Sequence, residues 1–236
     1  MKNAEKIANR FKIRASAAGQ LMTNGRASGS MGETCKTYLK NWILEQPELL
    51  GVRVNDFSNK YIEKGNFVEA DALNYLSEHV YSDAFLVPNT RNFSDDFMTG
   101  TPDIIQPDHI ADNKASWSAS TFPFFDEKLK TKDYFWQGQV YMNLVGREKH
   151  IVYYVLMSTP DHLIEREAQN RARKLGFPDV SEDIWNDTRQ QLTFEHLGPE
   201  MRIKPFEFEF DAEKIDELKE RVIASRGFIY DILRNL

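Results

Sequence analysis

The residues with the clearest chemical potential lie in one stretch: Asp103, Asp112 and Lys114, with Thr101 upstream and Asn113 between the last two. Thr99-Gly100-Thr101-Pro102-Asp103 runs into Ile104-Ile105, and Ile110-Ala111 runs into Asp112-Asn113-Lys114. These read as two short strands joined by Gln106-Pro107-Asp108-His109, where Pro suits the second position of a type I turn. If Gln106 and His109 face each other, Asp103 falls opposite Asp112. Alternation along each strand then puts Thr101, Asp103, Asp112 and Lys114 on one face. Two facing carboxylates repel, and a divalent cation relieves that repulsion. Mg2+ is commonly held by one or two carboxylates together with waters and phosphate oxygens. A lysine beside it can orient a water or meet a phosphate. The same pattern also fits an ordinary exposed hairpin, and a one-residue bulge would undo the facing pair.

Two helices carry further polar residues toward such a site. Asn59 to Val80 has an apolar stripe of Ile62, Gly65, Ala72, Leu73, Leu76 and Val80 at helical spacing. Glu69 falls inside that stripe, where a carboxylate is costly unless paired, protonated or near a metal. The alternative is a helix rotated so that Glu69 lies at the stripe's edge. Lys132 to Gly146 repeats the theme: Gln137 interrupts the stripe Tyr134, Gly138, Tyr141, Leu144, Val145. A core glutamine bonded to backbone fits equally well. Polar interruptions on two helices beside an acidic hairpin favour one shared site, and metal-assisted hydrolysis is the chemistry such a set can run.

The remaining elements frame this set. Ser16 to Met22 reads as a short helix with Ser16 as N-cap, after a basic stretch carrying Lys2, Lys6, Arg10, Lys12 and Arg14. Thr23 to Gly32 is a loop, and Glu33 to Gln46 a helix ending before Pro47. Ala84 to Phe93 is a strand candidate ahead of the hairpin, and Trp117 to Leu129 an aromatic irregular loop. His150 to Met157 is almost wholly apolar or aromatic, as in a central strand covered on both faces. Asp161 to Leu175 and Glu182 to Leu192 are helices. Ile203 to Phe210 alternates Phe with Glu as a half-exposed strand, and Asp211 caps a last helix to Leu236 with Ile215, Leu218, Val222 and Ile229 on one side. The order predicts one α/β (α+β) domain over 1–236, with a mixed sheet flanked by helices.

Composition narrows the function classes. The chain is 41% hydrophobic and 28% charged, with no apolar run near the ~20 residues of a membrane span. One cysteine, Cys35, excludes an internal disulfide and cysteine-rich metal sites, and reads as a packed thiol. With no visible secretory signal, a cytoplasmic location is the expectation. A net charge of −6 argues against broad non-specific nucleic-acid binding but leaves room for a local basic groove. No phosphate-cradling P-loop, no G-x-G-x-x-G and no G-x-S-x-G elbow is present, and the five histidines show no paired metal-ligand spacing.

Asp103 with Asp112-Asn113-Lys114 resembles the PD-(D/E)XK nuclease signature, Pro102 supplying the "PD". Ile13-Arg14-Ala15-Ser16 resembles the "I-T-A-S" opening of lambda-exonuclease/YqaJ-type viral recombinases. The run from Lys64-Gly65 through Glu69 to Ala72 resembles their "G-x-x-x-E-x-x-A" helix, Gly100-Thr101-Pro102-Asp103 their "S-P-D" strand, and Trp136-Gln137-Gly138-Gln139 their "Q-x-Q" helix. The motifs stand in the family's order. The resemblance implies a restriction-endonuclease-like core and a metal-dependent 5′→3′ exonuclease that resects double-stranded DNA ends, in a phage or prophage, for a single-strand annealing protein. Carried onto this chain, Asp103, Asp112 and the Asn113 carbonyl bind Mg2+ (Mn2+ substituting), Glu69 reaches it through water, and Lys114 is catalytic. Gln137 positions the attacking water or substrate. Ser16, Thr101 and Arg10 or Arg14 hold a terminal 5′-phosphate. Asp112 stands where the family more often has Glu. Residues 160–200 match nothing in the family and read as an atypical helical insertion, which leaves the family's ring-shaped trimer open as the homo-oligomer. An endonuclease on the same fold and a non-catalytic DNA-end or protein-binding module are the rival readings.

Overall fold

The computed structural model describes residues 3–27, 29–54, 59–82 and 86–236. The chain opens with α1 (Ala4–Asn9), the short strand β1 (Ile13–Arg14), a 3-10 turn at Ala15–Ala17, α2 (Ala18–Leu21) and α3 (Glu33–Leu44). Next come α4 (Lys60–His79), β2 (Phe93–Ser94), β3 (Met98–Gly100), β4 (Ile104–Ile105) and β5 (Ile110–Ala115). After them follow α5 (Lys132–Val145), β6 (Lys149–Val155), α6 (Asp161–Lys174), α7 (Glu182–Leu192), α8 (Pro199–Arg202), β7 (Ile203–Glu209) and α9 (Ala212–Arg234).

Local chemistry sets several of these ends. The Asn59 side chain accepts from the Tyr61 and Ile62 amides and starts α4. Asp211 does the same for α9 through the Lys214 amide. Gly146, at φ 71°, closes α5 in the left-handed conformation that a Cβ disfavours. Ser16 is not a cap: it lies in the middle of the 3-10 turn, exposed, and α2 begins without a side-chain cap.

The strands form two mixed sheets rather than one. The smaller has the order β1-β3-β2, with β1 parallel and β2 antiparallel to β3. The larger has the order β4-β5-β6-β7, with β5 and β6 parallel and both outer pairs antiparallel. The expected strand from Thr99 to Asp103 is therefore broken. Gly100 ends the small sheet and Ile104 begins the large one. Pro102 lies between them and has no N–H for a ladder. Asn89 supports this crossover, its side chain donating to the Pro102 carbonyl (2.9 Å) and its backbone N–H to the Asp103 carbonyl (2.9 Å). The strand expected over Ala84 to Phe93 is reduced to its last residue: 86–92 are irregular, and Ala84 and Phe85 lie outside the described residues.

The large sheet is covered on both faces, as the apolar run of β6 predicted. On one face Ala72, Leu73 and Leu76 of α4 pack on Ile104, Ala111, Ile151, Tyr153 and Val155. On the other lies α5, which is buried all round from Gln137 to Met142 because the N-terminal turns and α9 cover its outer side. The buried face of α4 is Lys64, Val68, Ala72, Leu73 and Leu76, so the helix is rotated from the stripe read in the sequence. Ile62 and Val80 are exposed, and so is Glu69. Lys64 was not expected on that face. It is fully buried, and its ammonium donates to the Ser116 (2.7 Å) and Trp117 (3.0 Å) carbonyls just beyond β5. Burial pushes its pKa down to about 7.

Candidate active site

The β4–β5 hairpin has the register that its turn predicts. Ile104 pairs with Ala111 and Ile105 with Ile110, and the Gln106 amide donates to the His109 carbonyl at 2.8 Å. No bulge intervenes, so Asp103 stands opposite Asp112. The Asn113 amide donates to Asp103 Oδ2 at 3.1 Å, tying the first carboxylate to the second strand. Asp112 is fully buried, and among the described residues neither of its carboxylate oxygens has a hydrogen-bond partner. Lys114 Nζ stands 3.5 Å from Asp112 Oδ2 and 5.1 Å from the centre of the Tyr134 ring. The exposed-hairpin reading therefore fails: Asp112 is buried against the α5 layer, and Asp103 and Lys114 are half-buried beside it.

The electrostatics follow from that burial. Asp103 is pushed up to about 7 by desolvation first and by the charge of Asp112 second, with Glu69 adding in the same direction. Lys114 and the Asn113 amide pull it back. Burial alone would lower the Lys114 pKa, but Asp112 and Asp103 outweigh it and hold the ammonium above the usual lysine range. Tyr141 is pushed up by burial and by Asp112. A buried carboxylate pair with a cation at one side is a set short of positive charge. It fits a divalent ion, which needs only one or two carboxylates if backbone, water and phosphate oxygens complete its shell. Among the described residues no cluster of three or more His, Cys, Asp or Glu closes a metal cage.

Gln137 is buried and donates to the Tyr141 hydroxyl at 3.0 Å, a side-chain partner one turn on rather than backbone. Its neighbour Gln139 takes the backbone role instead, donating to the Glu209 carbonyl and accepting from the Asp211 amide, both at 2.8 Å. Gly138 lies between them. A Cβ there would sit 2.5 Å from Phe208 Cζ and 2.9 Å from His150 Cγ, so only glycine lets α5 lie this close to the sheet. His150 itself was missed in the sequence. It is fully buried on the Asp112 face, its Nε2 3.7 Å from Asp112 Oδ2. The signal was a histidine opening the otherwise apolar and aromatic run from His150 to Met157.

The N-terminal turn reaches the same region through Gly100. A Cβ on that residue would lie 2.6 Å from the Tyr141 ring and 2.9 Å from Ala15 Cβ. Arg14 and Ser16 line one cavity of about 580 Å3 together with Gln20, Thr37 and Tyr38. Arg10 does not line it; its guanidinium pairs with Glu48 at 2.7 Å. Thr101 accepts from the Asn92 side chain at 3.2 Å, off the hairpin ladder rather than on its face.

A hairpin acid pair followed by lysine, on a mixed sheet flanked by helices, defines a PD-(D/E)XK nuclease core. No family model matches the sequence, and no curated protein does. Solved structures do. The chain is similar to a phage-related exonuclease from Haemophilus somnus 129PT, with 25% identity and a TM-score of 0.75 over 96% of each chain. It is also similar in fold to an alkaline exonuclease from Laribacter hongkongensis, LHK-Exo, with 14% identity and a TM-score of 0.62 over 100% of this chain and 97% of that one. A dAMP complex of LHK-Exo matches with the same TM-score at 16% identity, over 97% and 94% of the two chains. The chain thus shares the fold of these exonucleases, a mixed α/β fold of the PD-(D/E)XK nuclease type.

Proposed function

We propose that this nuclease is a metal-dependent 5′→3′ exonuclease that degrades one strand of double-stranded DNA from its ends, leaving a strand for a single-strand annealing protein. The observation that carries the metal is Asp112: a fully buried carboxylate facing a second one, with no hydrogen-bond partner on either oxygen among the described residues and Lys114 as an ion-pair neighbour at 3.5 Å. Asp103, Asp112 and the Asn113 carbonyl would hold Mg2+ or Mn2+, with Glu69 reaching it through water. The ion, when bound, supplies a Lewis acid for the scissile phosphate and lowers the pKa of water. Lys114, kept protonated by its carboxylate neighbours, faces the charge that develops on the phosphate. The Gln137 amide gives its N–H to Tyr141, which leaves its oxygen free to accept from the attacking water. Arg14 and Ser16, with Thr101 nearby, offer cationic and hydroxyl donors to a terminal 5′-phosphate. A mononucleotide complex of the similar LHK-Exo is in keeping with a nucleic-acid substrate.

The test compares linear duplexes with and without a 5′-phosphate and a relaxed closed circle, each in Mg2+ and in EDTA. The expected result is Mg2+-dependent loss of the linear 5′-phosphorylated duplex and an intact circle. Asp112→Ala and Lys114→Ala should each lower the rate by at least about 10³-fold while the circular dichroism spectrum is kept. Cutting of the closed circle would establish the endonuclease instead. No degradation of any linear duplex by the metal-loaded protein would sink both.

A further inference from the structure

His150 is a polar side chain that nothing in the proposed chemistry uses. It is fully buried, and among the described residues neither ring nitrogen has a hydrogen-bond partner. Its surroundings are aromatic and tight: Phe208 lies 5.1 Å from its ring centre, Tyr141 6.2 Å, and the Gly138 backbone rests on its Cγ. An unpartnered buried imidazole costs free energy that a phenylalanine in the same space would not. An imidazole keeps at least one ring N–H to give in either protonation state. The side-chain oxygen within reach is Asp112 Oδ2, at 3.7 Å from Nε2, slightly beyond hydrogen-bond length. Parallel pairing sets that approach: His150 pairs with Ile110 and Asp112 with Val152, so the two side chains share one face on neighbouring strands. Lys114 meets the same Oδ2, at 3.5 Å. Both neighbours thus approach one oxygen of the carboxylate and leave Oδ1 without a donor.

We infer that His150 is a positioning residue: its imidazole N–H holds Asp112 Oδ2, fixing the carboxylate so that Oδ1 is presented to the cation. This rests on the metal-dependent reading above. A ring nitrogen behind a ligating carboxylate fixes its orientation and basicity, and loss of such a partner typically weakens metal binding about 10–100-fold. The helix that carries Gln137 packs at Gly138 against the same ring together with Phe208, so His150 contacts both Asp112 and α5.

The test titrates Mn2+ into the DNA-free protein by calorimetry. His150→Phe, which fills the same space without a nitrogen, should weaken Mn2+ binding about 10–100-fold. Its melting temperature in EDTA should not fall. His150→Gln, which restores a donor, should recover part of the affinity. Equal Mn2+ affinity in wild type and His150→Phe overturns the inference and leaves the metal reading standing; a wild type that binds no Mn2+ overturns both. Two measurements on the wild type decide the matter should the Phe variant not fold. With 15N-labelled histidine, Mg2+ should shift and protect one His150 ring N–H, and no change there overturns the proposal. Pulsed EPR of the Mn2+ form should show no directly bonded histidine nitrogen; a directly bonded one would make His150 a ligand rather than a positioning residue.

Discussion

At the scale of single residues, the site is an excess of buried negative charge balanced by one lysine. Asp103 shows what that costs the metal-free protein. Its pKa is near 3.9 when unfolded and about 7 in the fold, so between these values the folded chain holds a proton that the unfolded chain has lost. Stability then falls as pH rises from about 4 to about 7 and stays lower above that. Asp103→Asn removes the titration. In EDTA at pH 8 it should melt higher than wild type, by on the order of 2–4 kcal/mol, with the difference vanishing near pH 4. Chemical denaturation of both proteins across that range measures it. Equal pH dependence in the two would show that the carboxylates are not coupled through the hairpin. Lys64 is the counterpart on the other face, a buried cation whose two carbonyl partners fix the chain just past Lys114.

Secondary elements bring these residues together through close approach, and glycine decides where that happens. α5 meets the sheet at Gly138, and Gly138→Ala must displace Phe208 or His150. Overpacking of this kind costs about 1–3 kcal/mol. The opposite holds for Gly65 in α4, where an added Cβ meets no atom of the described residues within 4 Å. Gly65→Ala should therefore stabilise the protein by about 0.5–1 kcal/mol through helix propensity alone. Urea unfolding of the pair checks both signs. A Gly138→Ala protein as stable as wild type would mean that the α5–sheet contact is looser than its distances state. The rotation of α4 is of the same origin. The helix turns Ala72, Leu73 and Leu76 onto Ala111 and Tyr153 and leaves Ile62 and Glu69 exposed.

At the scale of the whole molecule, the small sheet brings the N-terminal turn to the hairpin of Asp103 and Asp112. β1 pairs with β3, and β3 leads through Thr101 and Pro102 into Asp103, so the cavity at Arg14 and Ser16 is coupled by backbone to the acid pair. Arg14→Ala should reduce the preference for 5′-phosphorylated over unphosphorylated duplex ends by about tenfold or more, the worth of one charge-assisted hydrogen bond. Arg10→Ala should leave that preference unchanged, since Arg10 is held by Glu48 away from the cavity. Rates on the two substrates give the ratio, and a loss of preference in Arg10→Ala alone would reassign the phosphate pocket. The described residues contain no helix long and apolar enough to cross a membrane.

By itself the sequence determined what depends on neighbours along the chain. The turn at Pro107 set the hairpin register and hence the facing of Asp103 and Asp112, because a tight turn leaves one pairing. The apolar run of β6, the cap at Asp211 and the end of α5 at Gly146 were legible for the same reason. Only the tertiary structure decided the rest. That Thr99 to Asp103 spans two sheets depends on which distant strand each half pairs with, and local pattern does not encode a partner. Glu69 and Lys64 changed places relative to the core because the rotation of α4 is set by the shape of the sheet beneath it. His150 meets Asp112, and Gln139 rather than Gln137 bonds to backbone, only because β5, β6 and α5 come together across long stretches of chain. Periodicity reports that a face is buried; it does not report against what.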